Sequence, residues 1–337
     1  MKMLKNILKL TAIWMAATVS FTACEVDTTT VMFEEDHDFS QPGDTVFSML
    51  GILDKVQDVV EKGVLLGELR GDLVKPDPFV GTSSAWVDLT RFENLENATF
   101  NRYRDYYAIV NNCNFYLERA DAEMERRGQK VFLKEYAAVS AYRAWAYLQL
   151  ALLYGEVPFY TQPLLSYSEI EQVMNDPSKR KGLGEICSYF IDDLLPYVDV
   201  PFPNYGNFTY DQSSSVNSSD FFLPIRLLRG DLYLWRGSLD GNKSDFAKAA
   251  QEYRDYLLSE KRFVSPDVKV AYRTVDMDGA QIVDRWSSVF LGNNYNESIS
   301  LVPFAGNSQY GKLGSLRQSF RSFMGSDALQ KLVDESY

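Results

Sequence analysis

Histidine is almost absent from this chain: His37 is the single imidazole in 337 residues. A multi-histidine metal site therefore cannot be assembled. A Ser-His-Asp arrangement would have to recruit that one residue from Glu34-Glu35-Asp36-His37-Asp38, a stretch that favours a solvated side chain. Cysteine is nearly as scarce, and the spacing of Cys24, Cys113 and Cys187 fits neither a disulfide framework nor a metal knuckle. Cys113 and Cys187 fall inside helical patterns and read as buried free thiols. Basic residues are too few to offset the acids, with 34 Lys and Arg against 46 Asp and Glu and a net charge of −12. This argues against a nucleic-acid partner, because phosphate neutralisation needs clustered Lys and Arg. No apolar run reaches the roughly 20 residues that a membrane-spanning helix requires.

The N-terminus carries an export leader. Lys2, Lys5 and Lys9 precede the apolar residues 10–19, and no Asp or Glu occurs before Glu25. The segment closes on Phe21-Thr22-Ala23-Cys24. Small residues just before a cysteine resemble the lipobox of bacterial lipoproteins, with Phe21 in place of the usual Leu. Residues 1–23 are therefore expected to be removed and Cys24 acylated, the lipid being the link to the membrane. One acyl chain holds a protein only marginally, so stable anchoring would draw on the several chains of a bacterial lipoprotein. Residues 24–45 are polar and acidic, a composition suited to a tether.

Beyond the tether, helical periodicity takes over. Met49, Ile52, Leu53, Val56, Val59 and Val60 recur at three- and four-residue spacing, which predicts an amphipathic helix. Residues 67–98 contain Gly67, Gly71, Pro76, Pro78 and Gly81 and read as a long loop around Trp86. Helices are expected over about 99–127, 131–154, 184–198, 224–239 and 244–260, with Gly128, Gly155 and Gly241 as stop signals. The helix over 131–154 is apolar on most sides and must be sandwiched between neighbours. In the final pair, Leu232, Trp235, Phe246, Ala249, Ala250 and Tyr253 fall at the leucine, aromatic and alanine positions of a tetratricopeptide-type repeat. The expected fold class is mainly α, a tetratricopeptide-like helical repeat framework over 46–262 with an irregular, loop-rich later region over 263–337. Within that region Ile299-Ser300-Leu301-Val302 is the best strand candidate.

One run carries a resemblance. Arg143-Ala144-Trp145-Ala146-Tyr147-Leu148-Gln149-Leu150-Ala151-Leu152-Leu153-Tyr154-Gly155-Glu156-Val157-Pro158 resembles the signature of the SusD/RagB family, which is Arg-Ala, aromatics, a Leu-rich stretch and Tyr-Gly-Asp/Glu-Val-Pro. Ala138 stands where that family commonly has Glu. Asp105-Tyr106-Tyr107, Ile191-Asp192-Asp193-Leu194-Leu195-Pro196, Leu227-Leu228-Arg229-Gly230-Asp231 and Asn296-Glu297-Ser298-Ile299 are similar to further family segments, in order. The resemblance implies a surface lipoprotein of the Bacteroidetes outer membrane. Such a protein captures an oligosaccharide or, in the RagB branch, a peptide, and serves as a hinged lid on a SusC-like TonB-dependent transporter. It implies binding without catalysis, and no cofactor. Ser326-Asp327-Ala328-Leu329 is similar to a helix after which family members continue, so much of their C-terminal region is expected to be missing here.

Sugar binding directs attention to aromatics, because pyranose C–H faces pack on rings while amides and hydroxyls satisfy the sugar's hydroxyl groups. Trp145 and Trp235 lie in helical stretches and read as core. Trp86, Trp286 and Tyr295 lie in loop-like stretches and are the candidate ligand contacts, with Tyr310 a weaker one. Two alternatives stand beside this reading: a lipid-anchored repeat scaffold that binds only protein, and a glycosidase using two carboxylates about 5–10 Å apart. Asp192 and Asp193 are adjacent on a helix, where consecutive side chains diverge, so solvated surface is the better account of them. No catalytic residue and no metal ligand is expected.

Overall fold

The computed structural model describes residues 39, 42–71, 74–76, 84–93, 102–209 and 215–259, with short pieces at 274–275, 281–283, 302 and 323–325. The described residues contain eight α-helices and ten short strands in two compact units. Among them, residues 164–175 belong to the smaller unit and the rest to the larger.

In the larger unit, helix α1 (Pro42–Leu69) buries Met49, Ile52, Val56 and Val59, the stripe that the apolar spacing predicts. It starts earlier than expected, taking the last residues of the acidic tether into its first turn. Pro42 suits that place, since its missing N–H has no helical partner there. Strand β1 (Val74–Pro76) follows, and then a second helix, α2 (Ser84–Arg91), occupies part of the stretch read as loop. Helix α3 (Arg104–Arg119) ends well before Gly128, at an extended Ala120. The expected overrun is instead a hairpin of β2 (Glu125–Arg126) and β3 (Gln129–Lys130). Arg127 and Gly128 at its tip have φ of 53° and 76°, the two left-handed residues of a type I′ turn.

Helix α4 (Leu133–Tyr154) is buried on nearly every side, as its all-round apolar pattern requires, and packs against α1, α3 and the later helices over Leu183–Asp193 and Ile225–Asp240. It stops at Gly155, where φ is 78°. Strand β4 (Val157–Pro158) then pairs antiparallel with β5 (Arg180–Lys181). Helix α6 (Leu183–Asp193) gives way to a 3-10 turn (Leu195–Tyr197) at Pro196, short of the predicted end at 198. A hairpin of β6 (Asn207–Thr209) and β7 (Ser215–Asn217) leads to the antiparallel pair α7 (Ile225–Asp240) and α8 (Lys243–Ser259), joined by a left-handed Gly241. Strands β8 (Thr274–Val275) and β9 (Gln281–Val283) form a further pair, and β10 (Phe323–Gly325) returns to pair with β1 in the register Lys75 to Met324. Of the strand candidate at 299–302, Val302 alone is described and is not in a strand, and 299–301 lie outside the described residues. In the smaller unit, α5 (Tyr167–Asn175) is capped by Glu169, whose Oε2 accepts from the Leu165 and Ser166 amides at 2.7 and 3.1 Å.

The α7–α8 pair is stitched by charge as well as apolar burial. Arg236 of α7 donates to both carboxylate oxygens of Asp245 on α8, at 2.7 and 2.8 Å, and to Ser188 Oγ on α6 at 3.1 Å. Arg229 bonds Glu252 of α8 and the Ile191 carbonyl of α6. These arginines lie on the face of α7 that also buries Leu228, Leu232 and Tyr233, so the buried arc reaches Trp235 only at its margin. Trp235, expected in the core, is 41% exposed, and Trp145 is half-buried. Cys113 and Cys187 are buried free thiols, each pushed up to about 12 by burial. No helix among the described residues is long and apolar enough to cross a membrane.

Candidate functional site

The polar residues of the Arg143–Pro158 run act on the segment that leaves α4. Arg143 is 7% exposed, and its Nη1 donates to Asn114 Oδ1 on α3 at 3.2 Å. Its Nη2 donates to the Asp193 carboxylate at the end of α6, at 3.1 and 3.4 Å. Asn114 in turn donates to the carbonyls of Tyr160 and Gln162. The Tyr147 hydroxyl donates to the Tyr160 carbonyl at 2.6 Å and accepts from its amide at 2.9 Å, while Tyr107 donates to the Pro158 carbonyl at 2.6 Å. Burial raises both phenols well above their ordinary value and keeps them neutral. This stretch is thus a clamp that holds residues 157–162 against α3 and α4, and the unpaired backbone carbonyls there are satisfied by side chains.

Asp193 is therefore not solvated surface: it is the counter-ion of a buried arginine 50 residues away, whereas Asp192 is exposed. Tyr189 lies one helical turn before Asp193 on α6, Tyr197 follows in the 3-10 turn, and Tyr136 packs on Tyr197; all three are half-buried. The rings of Tyr136 and Tyr197 lie 5.5 Å apart. Burial first, then the neighbouring Tyr136 and Asp193, push the Tyr197 phenol up to about 12.

A cleft of about 450 Å³ opens between the first turns of α4, residues 198–204 and the N-terminus of α7. Ala137, Ala138, Phe202 and Leu223 give it apolar walls, and Lys134, Asp199, Asn204, Ser219 and Arg226 give it polar groups. Arg226 is held by Asp199 Oδ1 at 2.6 Å and Glu252 Oε2 at 3.3 Å, contacts that raise its pKa further. Ala138 lines this cleft. Asp199 is the one carboxylate among the described lining residues. The arrangement offers apolar walls with directed hydrogen-bonding groups, which suits retention of a polar, ring-shaped ligand.

Of the aromatic candidates, Trp86 alone is among the described residues. Trp86 lies on α2, half-buried, and packs with Val74 and Leu153 on a cluster of Leu65, Leu66 and Leu89. The spacing of Trp86 and Leu89, three residues apart on one short helix, is the signal that the loop reading passed over. Trp86 does not line the cleft. Cys24, Trp286, Tyr295 and Tyr310 lie outside the described residues. Lys134, Asn204 and Arg226 had no sequence signal, since the cleft joins four separate segments of the chain.

No family model and no curated protein matches this chain. Solved structures do. A SusD superfamily protein from Bacteroides thetaiotaomicron matches with a TM-score of 0.58 at 13% identity, covering 88% of this chain and 62% of that one. A SusD superfamily protein from Bacteroides vulgatus gives 0.55 at 14% identity over 88% of this chain and 64% of the other. B. fragilis NanU gives 0.51 at 18% identity over 79% and 48%. The chain has the fold of the SusD superfamily, and it spans between 48% and 64% of the length of these three structures.

Proposed function

We propose that this chain is a lipid-anchored, SusD-like binding protein of the outer membrane, which captures a glycan and presents it intact to a SusC-like TonB-dependent transporter. The observation that carries the reading is the fold, matched over 88% of the chain by a SusD superfamily structure. The Arg143–Pro158 run supports it, because Arg143 and Tyr147, two residues of that resemblance, help to build the clamp. The cleft supports a binding role through its apolar walls and fixed hydrogen-bonding groups. The leader and Phe21-Thr22-Ala23-Cys24 support the anchor at Cys24. What favours a protein partner is the exposed apolar margin of the last helix pair: Leu234, Trp235, Leu239 and Phe246 are 43%, 41%, 57% and 37% exposed.

Two experiments test this. Metabolic labelling with a radioactive fatty acid should mark the chain, and Cys24→Ser should abolish the label and release the protein from membranes; a label that survives the substitution removes the anchor. The full chain should be retarded by at least one glycan in affinity electrophoresis. Trp86, Trp286 and Tyr295 are the proposed stacking contacts. Alanine at any of them that touches the sugar weakens retention about threefold to tenfold, the worth of one ring contact.

A further inference from the structure

We propose that Asp193 and the tyrosines around it form a second sugar-binding surface, separate from the cleft, for a neutral glycan with adjacent hydroxyl groups. The inference rests on the glycan-binding reading and adds a site and a charge preference to it. None of Tyr136, Tyr189, Asp193 and Tyr197 lines the cleft.

The carboxylate is the centre of the argument. Arg143 fixes its orientation from the protein side through Nη2, with bonds to both oxygens, yet the Asp193 side chain remains 24% exposed. An ionised carboxylate has about four acceptor sites, so oriented lone pairs remain for solvent or ligand. Adjacent hydroxyls on a pyranose ring are spaced to donate to the two oxygens of one carboxylate, in charge-assisted bonds stronger than neutral ones. The surrounding rings supply the apolar half of a sugar site. Tyr189 is braced by Phe159 and Phe190, with ring centres 4.9 and 5.0 Å away, and Tyr136 braces Tyr197. Rings held in this way lose little freedom when a ligand packs on them.

Their exposure separates them from core aromatics. Tyr142 and Tyr147, on the same helix as Tyr136, are 1% and 0% exposed, whereas Tyr136, Tyr189 and Tyr197 all keep part of their surface in water. Charge decides the ligand class. The guanidinium of Arg143 lies behind the carboxylate with 8% of its side chain exposed, so the group offered outward is negative. A sugar acid placed there meets like charge, and a neutral sugar does not.

The test uses the full chain, purified from detergent-extracted membranes, in affinity gels containing glycogen, galactomannan, xyloglucan or polygalacturonate. Three variants are compared: Asp193→Asn, Tyr136→Ala with Tyr197→Ala, and Tyr197→Phe, which removes one hydroxyl and leaves the ring. The expected result is retention by a neutral polysaccharide, weakened at least fivefold by the first two variants and about twofold by Tyr197→Phe. If the first two do not fold, the Tyr197→Phe result decides. Unchanged retention in the folded variants overturns this second surface and leaves the glycan-binding reading in place. Stronger retention by polygalacturonate than by any neutral polymer also overturns it. No retention of the unsubstituted chain by any gel overturns the glycan-binding reading itself, and this inference with it.

Discussion

Replacing Gly230 by alanine sets helix propensity against packing, and the structure says which wins. Gly230 lies inside α7, where alanine is ordinarily better than glycine by about 1 kcal/mol. A methyl group at this position would sit 2.3, 2.7 and 2.9 Å from three atoms of the Tyr253 ring on α8. Carbon atoms normally approach to about 3.5 Å, so the ring must move by more than about 1 Å. That shift strains the 2.6 Å hydrogen bond from the Tyr253 hydroxyl to Asp231 Oδ1 and opens the seam between the two helices. Overpacking costs about 1–3 kcal/mol and the exposed, charge-assisted hydrogen bond about 1 kcal/mol. Against the propensity gain, the net is a destabilisation of about 1–3 kcal/mol, a fall in Tm on the order of 2–12 °C. Denaturant unfolding of Gly230→Ala, Tyr253→Ala and the double variant tests it. With Tyr253 already truncated, Gly230→Ala should become stabilising by up to about 1 kcal/mol. A single Gly230→Ala that raises stability, or an effect of the same sign and size in both backgrounds, would refute the packing argument.

Other predictions concern the two charged centres. Arg143→Met should destabilise by about 3 kcal/mol, near the lower end for breaking a buried pair because Asp193 can still reach water; a loss below about 1 kcal/mol in urea unfolding would mean that the clamp adds little. Hydrogen bonds from Arg236 hold the Asp245 carboxyl below its ordinary pKa. Its contribution is therefore complete above about pH 5 and is lost as pH falls below about 4, through the depressed folded value. Asp245→Asn should cost about 2 kcal/mol at pH 7, and the gap to the unsubstituted chain should close towards pH 3. A gap that stays constant across that range would assign the effect to packing.

The parts of this fold that are legible in the chain are those set by local chemistry. The helix Leu133–Tyr154 is apolar on most sides and ends at a glycine with φ of 78°, so both its burial and its stop can be read from residues in one stretch. Helix α3 overran in the reading because Glu123, Met124, Glu125 and Arg126 are all acceptable helix formers. A two-residue turn at Arg127 and Gly128 overrides that propensity. Trp235 and Asp193 were misplaced for a related reason. Apolar spacing assumes that a helix buries its hydrophobic stripe, but α7 also turns inward Arg229, which is buried, and Arg236, which is half-buried, and their partners lie on α6 and α8. Asp193 looks like one surface acid among 46 until the fold brings Arg143 to it. The cleft was invisible for the same reason, being assembled from the starts of two helices and the segment between Val198 and Asn204.

Calorimetric titration of the detergent-purified full chain with an oligosaccharide from the glycan that retards it in gels, followed by chromatography of the recovered sugar, tests the central claim most directly. The account predicts saturable binding and a sugar recovered at its original length after prolonged incubation. Shortened products would contradict it by making the protein a hydrolase, and the absence of a binding isotherm would contradict it by removing the cargo.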